Sequence, residues 1–206
     1  MTSAASSPAS APASALEGGF AAPPRDAARA FRALLGALSR PGTLHALGTA
    51  TPPAPFPPAA GALALTLCDA ETPVWLAPDL RGPGLTAWLT FHCNAPLVED
   101  PAEAAFAFGA PAALAGALDA FAIGSAEYPD ASATLVALLD GFAGEALTLA
   151  GPGIDGTARL AVPDAAAVAA LHAPNAALFP QGRDLFLVAG ELVAGLPRST
   201  RITPEA

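Results

Sequence analysis

Pro73-Val74-Trp75-Leu76-Ala77, then Gly82-Pro83-Gly84-Leu85-Thr86-Ala87-Trp88-Leu89-Thr90-Phe91, then Ala104-Ala105-Phe106-Ala107-Phe108, is the stretch that decides the fold. Val74 to Ala77 has the length and apolar run of a short buried strand. Leu85 to Phe91 follows a Gly-Pro-Gly turn and has the composition of a helix. Ala104 to Phe108 returns to a strand. The same alternation extends in both directions. Upstream, Phe31, Leu34, Leu35 and Leu38 recur at i, i+3, i+4 and i+7, which predicts a helix over Arg25 to Ser39 with one apolar face. Arg25, Arg29 and Arg32 recur at the same spacing as a basic stripe. Pro41-Gly42 ends this helix, because proline restricts Arg40 and cannot continue the hydrogen-bond ladder.

Thr43 to Leu47 reads as a short strand, and the five prolines of residues 51–58 make a loop. Ala59 to Leu67 is compatible with a buried helix or strand, its alanines favouring helix. Ala112 to Asp119 reads as a short helix. Strands are expected over Thr134 to Leu139, Ala146 to Leu149 and Thr157 to Val162, then a helix capped by Asp164 and running to about His172. Asp184 to Val188 and Leu192 to Leu196 read as a closing strand pair around Gly190-Glu191. Strands interleaved with helices indicate an α/β domain with a mixed sheet. The Ala/Ser/Pro-rich residues 1–22 have too little to bury and are expected to be a disordered tail, with a single domain over 23–206.

The 206 residues carry a formal net charge of -9, and all nine cations are arginine. That balance argues against a nonspecific nucleic-acid binder and against adsorption to anionic membranes. Without lysine the chain's side chains cannot form a Schiff base or supply a P-loop lysine. Cys68 and Cys93 make no disulfide framework, and no apolar run is long enough to span a membrane. The start of the chain has no secretory pattern, so a cytoplasmic protein with reduced thiols is expected.

Each candidate motif has a bland reading beside its functional one. Gly151-Pro152-Gly153-Ile154-Asp155-Gly156 matches G-x-G-x-x-G, but a strand is expected to follow it rather than a helix, so a hairpin turn is favoured over a dinucleotide site. His92 and Cys93 are neighbours, yet adjacent residues on a regular element point apart, which favours structural use or binding through the His92 ring over catalysis. Asp69 and Glu71 can be an acid–base pair or a turn before Pro73, and Trp75 would then be core. Arg183, Arg198 and Arg201 form a late cluster suited to a phosphate or a partner's carboxylate, against internal ion pairs.

Taken in order, the motifs resemble the PhnH family of the bacterial carbon–phosphorus lyase complex. They begin with Asp26-Ala27 and Phe31-Arg32-x-Leu34-Leu35-x-Ala37-x-Ser39-x-Pro41-Gly42, then Leu65-Thr66-Leu67, Thr72-Pro73-Val74-Trp75-Leu76 and Phe91-His92-x-Asn94-Ala95-Pro96-Leu97-Val98. Leu147-x-Leu149-x-Gly151-Pro152-Gly153-Ile154, Phe179-Pro180-x-Gly182-x-Asp184-Leu185 and Pro197-Arg198-x-Thr200 complete the set, which spans about residues 25–201. The sequence departs from the family's pattern at Leu38, where methionine is usual, and at Cys93, where threonine is frequent.

The resemblance implies a three-layer mixed-sheet α/β domain similar to the large domain of pyridoxal-phosphate-dependent transferases, without that cofactor. No cofactor is expected; the absence of lysine agrees with that, and two cysteines are too few to hold an iron–sulfur cluster. The resemblance further implies an accessory subunit acting with PhnG, PhnI and PhnJ in phosphonate breakdown. In that pathway PhnI displaces adenine from ATP with a phosphonate, and PhnJ later cleaves the C–P bond by radical chemistry. The subunit alone would be a homodimer. A ligand- or partner-binding surface is expected among Arg32, Trp75, His92, Asn94, Asp184, Arg198 and Thr200, with Arg198 the foremost phosphate or partner contact. The alternative is a subunit with its own anion- or nucleotide-binding cleft that takes a direct part in the transferase step. A third possibility is a pyridoxal-phosphate-binding protein without Schiff-base chemistry.

Overall fold

A computed structural model describes residues 17–48 and 50–205. Of the segment expected to be a tail, residues 1–16 lie outside the described residues. Glu17 to Gly19 are held: the Glu17 carbonyl accepts a 2.9 Å bond from the Trp88 indole, and the Gly18 carbonyl accepts one of 2.9 Å from the Thr51 N–H.

Helix α1 spans Pro23–Ser39. Proline opens it, and the Asp26 carboxylate accepts a 2.8 Å bond from the Ala22 N–H just before the first turn. Its apolar face is not the one the heptad-like spacing predicts. Ala30, Leu34 and Ala37 are buried, whereas Phe31 and Leu35 are exposed. The cause is backbone proximity. The hydrogen of Gly195 faces α1, and a Cβ there would lie 2.7 Å from the Ala37 carbonyl carbon. The helix therefore rests on the sheet through its small residues.

Strand β1 is His45–Ala46, and α2 is Pro58–Leu67, buried continuously from Ala59 to Ala64. An all-round apolar, alanine-rich segment of this kind is a core helix, which resolves the strand alternative. The deciding stretch folds as expected: β2 is Val74–Leu76, α3 is Pro83–Cys93, β3 is Leu97–Val98 and β4 is Phe106–Gly109. Asn94 ends α3 in the left-handed conformation at φ 53°. Next come α4 (Pro111–Gly116), β5 (Thr134–Leu138), β6 (Glu145–Ala150) and β7 (Ala158–Val162). Helices α5 (Ala165–His172) and α6 (Asn175–Leu178) precede β8 (Leu185–Ala189), β9 (Leu192–Leu196) and β10 (Arg201–Pro204). Two carboxylates satisfy the start of α5: Asp164 accepts from the Ala167 N–H at 2.8 Å and Glu145 from the Ala165 N–H at 2.9 Å.

The larger sheet has the order β1-β9-β8-β5-β4-β2-β3. β3, β2, β4, β5 and β8 run parallel, and β9 and β1 add antiparallel at one edge, so the sheet is mixed. All five positions of β8 are buried, which requires cover on both faces of the sheet. A smaller antiparallel sheet has the order β10-β6-β7. Its β6–β7 hairpin turns through Gly151–Gly156, so the glycine-rich motif is a turn between antiparallel strands and leads into a strand rather than a helix. That turn sits on the end of α1: Gly153 has φ +79°, and a Cβ on it would come within 2.2 Å of the Ser39 carbonyl oxygen. Among the described residues no helix is long and apolar enough to cross a membrane.

Candidate functional site

The expected site residues separate into four places. Trp75 lies on β2 in the core, its indole N–H donating to the Glu99 carbonyl at 3.2 Å and its ring meeting Phe121 edge-on at 5.3 Å. His92 and Asn94 stand at the end of α3. The His92 ring packs 4.9 Å from Trp88 and 4.9 Å from Phe91, beneath Gly19, where a Cβ would approach it to 2.7 Å. Asn94 supplies the helix cap. Arg32 is exposed on α1. Only Asp184, Arg198 and Thr200 come together.

Arg198 and Thr200 border a cleft of about 600 Å³ between α5, α6 and the segment that leads into β10, and Asp184 joins them through its bonds to Arg198. Its walls include His172, Asn175, Phe179, Ser199 and Arg201. The frame beneath it is built by Asp184 and Arg198. One Asp184 oxygen, Oδ1, accepts from the Arg198 backbone N–H at 2.8 Å and from Nε at 3.2 Å; the other, Oδ2, accepts from Nη2 at 2.7 Å. The guanidinium continues to Ser132 Oγ, at 2.8 Å from Nη2, and to the Pro129 carbonyl from Nη1. A planar fork is needed to make all of these bonds at once. Arg198 thus ties the end of β9 to the start of β8 and to the loop before β5.

A second tie lies one residue earlier. The Asn175 amide donates to the Arg183 carbonyl at 2.9 Å, and its oxygen accepts from the Arg183 N–H at 2.9 Å. This mimics a strand pairing and anchors α6 to the segment entering β8. Gly182 makes room for it, with φ +131° and space for a Cβ only 2.5 Å from Asn175 Oδ1. The Arg183 side chain turns the other way, buried, and donates to the Phe121 carbonyl through Nε at 3.1 Å. Burial pulls its pKa down, although Asp119 opposes the shift. The late arginine cluster is therefore dispersed: Arg183 points to Phe121, Arg198 is held by Asp184, and Arg201 is exposed on β10.

Within the cleft wall, His172 Nε2 lies 2.9 Å from the Pro197 carbonyl. A carbonyl only accepts, so this nitrogen carries the proton. Burial holds the His172 pKa below its usual value, with the Pro197 carbonyl and Asp184 opposing. Thr200 is buried, and its hydroxyl is the one buried side-chain polar atom among the described residues without a hydrogen-bond partner. The two cysteines are buried thiols. Burial raises the pKa of Cys68 far above its ordinary value and that of Cys93 to about 12, so neither is a nucleophile at neutral pH.

The profile of the bacterial phosphonate metabolism protein (PhnH) family matches residues 18–203. The alpha-D-ribose 1-methylphosphonate 5-triphosphate synthase subunit PhnH of Rhizobium meliloti (strain 1021) is 42% identical over 193 residues, covering 91% of this chain and 96% of the relative. The chain belongs to the PhnH family. The match takes in Gly18 and Gly19, which the described structure packs against Thr51 and His92.

Two residues that organise this PhnH cleft, His172 and Asn175, were not among the expected site residues. The signal for them is present. They stand three apart in the alanine-rich run Ala165 to Ala177, where each is a buried polar group that needs a partner. Their partners, Pro197 and Arg183, are distant or irregular in sequence, so the need could be seen but not its answer.

Proposed function

We propose that this PhnH-family chain is an accessory subunit of an α-D-ribose 1-methylphosphonate 5-triphosphate synthase, assembled with PhnG, PhnI and PhnJ in phosphonate catabolism. The observation that carries this reading is the 42% identity, over 91% of the chain, to a subunit of that synthase. The site geometry supports an accessory role. The two arginines best buried for gripping a phosphate, Arg183 and Arg198, donate to Phe121, Asp184, Pro129 and Ser132 instead. Their work is to hold the ends of β8 and β9 in one geometry, which suits a subunit that presents a fixed surface.

The finer parts of the proposal follow from the family resemblance. The sheet is that of a pyridoxal-phosphate-dependent transferase large domain used without the cofactor; the chain alone is a homodimer, and it works in the cytoplasm. Deleting the chain from its source bacterium and supplying methylphosphonate as sole phosphorus tests the function. Growth is expected to stop and to return with the wild-type chain; normal growth of the deletion strain would overturn the proposal.

One observation favours a second reading, in which the cleft takes an anion directly. It has room for a nucleotide-sized group, the exposed Arg201 at its rim and the partnerless Thr200 hydroxyl in its wall. Isothermal titration of the isolated chain with ATP is expected to give heat if this reading holds, and the heat is expected to vanish in Arg201→Ala.

A further inference from the structure

Helix α1 has an outer face that the fold does not use. Phe31 is 52% exposed and Leu35 is 56% exposed. At about 100° per residue, Ala28, Phe31 and Leu35 share one edge of this face, and Arg25, Arg29 and Arg32 share the adjoining edge. All three arginines are exposed, and among the described residues the salt bridges are Arg159–Glu205 and Arg198–Asp184, neither of which involves them. The acid of α1, Asp26, is buried and bonded to Ala22, so the outer face carries three positive charges and no negative one. The overall charge of the chain is -9, which makes this helix a local reversal of sign.

The arginines also do nothing for the helix. Arg25 stands in the first turn, where a cation opposes the macrodipole, Arg29 and Arg32 lie in mid-helix beyond its reach, and the last turn, where a cation would help, has none. A single exposed apolar residue is ordinary. Two large ones in register beside three unpaired cations form an interface pattern, with an apolar anchor and charges that set register.

We propose that the outer face of α1 is the docking surface for another subunit of the assembly, one that presents carboxylates around an apolar hollow. This rests on the assembly proposed above. Charge decides the occupant. Pairing of two copies of this chain through α1 would gather the three arginines of each copy in one interface, with no acid on the face to compensate. A partner of opposite charge satisfies both edges at once, Phe31 and Leu35 filling the hollow and the guanidinium forks gripping its rim.

The test is co-expression with PhnG, PhnI and PhnJ from the same source, purification through a tag on this chain, and native mass spectrometry. The wild-type chain is compared with the Arg25→Glu/Arg29→Glu/Arg32→Glu and Phe31→Ala/Leu35→Ala variants. Both variants alter exposed positions, and circular dichroism melting checks that they fold. At least a tenfold loss of hetero-complex is expected in each, together with weakening of the wild-type complex as salt is raised. Full assembly by both variants alongside the wild type would overturn the docking surface while leaving the subunit proposal intact. Failure of the wild-type chain to assemble would overturn the subunit proposal and this inference with it. Variants that lose only a homodimer would assign the face to a second copy and overturn the partner named here.

Discussion

Arginine is used in two opposite ways in this molecule. At the β8–β9 end, Arg198 is drawn inside, with its side chain 14% exposed and its guanidinium bonded to Asp184, Ser132 and Pro129. On α1, Arg25, Arg29 and Arg32 stand in solvent beside Phe31 and Leu35. In a chain without lysine both sets look alike as sequence. The difference teaches that a motif arginine next to Pro, Ser and Thr can be an internal strut, whereas arginines on a plain helix can be the surface offered to a partner. Geometry separates the two roles, because only a position flanked by turns and strand ends can meet several acceptors in one plane.

The contrast can be broken first at the strut. Arg198→Ala leaves Asp184, Ser132 and Pro129 without their shared donor, and a loss of about 2 kcal/mol is expected because the pair is only partly screened by solvent. For a domain of this size that lowers the melting temperature by about 4–8 °C in a calorimetric scan. Arg198→Lys should recover little, since an ammonium cannot reproduce the fork. An unchanged melting temperature would remove the strut.

The wall of the cleft gives a smaller effect of opposite sign. Thr200→Val replaces a partnerless buried hydroxyl with a methyl group of the same shape, and should stabilise the isolated chain by about 1 kcal/mol in urea titrations. A loss of stability would mean that the hydroxyl has a partner in solution.

His172 adds a pH dependence. Its folded pKa lies below the usual 6.5 because burial disfavours the cation, so the unfolded chain binds the proton more readily. The stability that comes from keeping the ring neutral is full above pH 6.5 and is lost as the pH falls from there through the folded value. His172→Gln should flatten that slope in denaturation curves taken from pH 7 to pH 5 relative to wild type.

The smallest effect belongs to α1. Arg32→Ala should change stability by no more than about 0.5 kcal/mol, because an exposed side chain without an internal partner contributes little to the fold. A large loss there would erase the contrast with Arg198.

Much of the fold was legible because its signals are local. Pro41-Gly42 stops α1, Asp164 caps α5, and apolar runs of strand length mark β2, β5 and β8. What escaped was set by tertiary pairing. Leu97–Val98 is a strand only because Val74 and Trp75 lie beside it. Arg201–Pro204 has no apolar alternation and takes its register from Leu147 to Ala150. The apolar face of α1 was misread for a related reason. The helix buries Ala30, Leu34 and Ala37 and meets Gly195 at Ala37, and close approach of small residues has no signature in a pattern of large ones. The site was legible in part. Asp184, Arg198 and Thr200 stand among the seven candidates, but the cluster the sequence suggests is Arg183, Arg198 and Arg201, and the bond between Asp184 and Arg198 has no sequence signal. Trp75, His92 and Asn94 were singled out by the same motifs, and they serve the core, an aromatic packing and a helix cap.

The central claim is that this chain is a subunit whose fixed frame serves an assembly. Native mass spectrometry of the wild-type chain co-expressed with PhnG, PhnI and PhnJ tests it most directly. A stoichiometric hetero-complex containing this chain is the predicted result. A spectrum in which the other three assemble while this chain remains apart would contradict it.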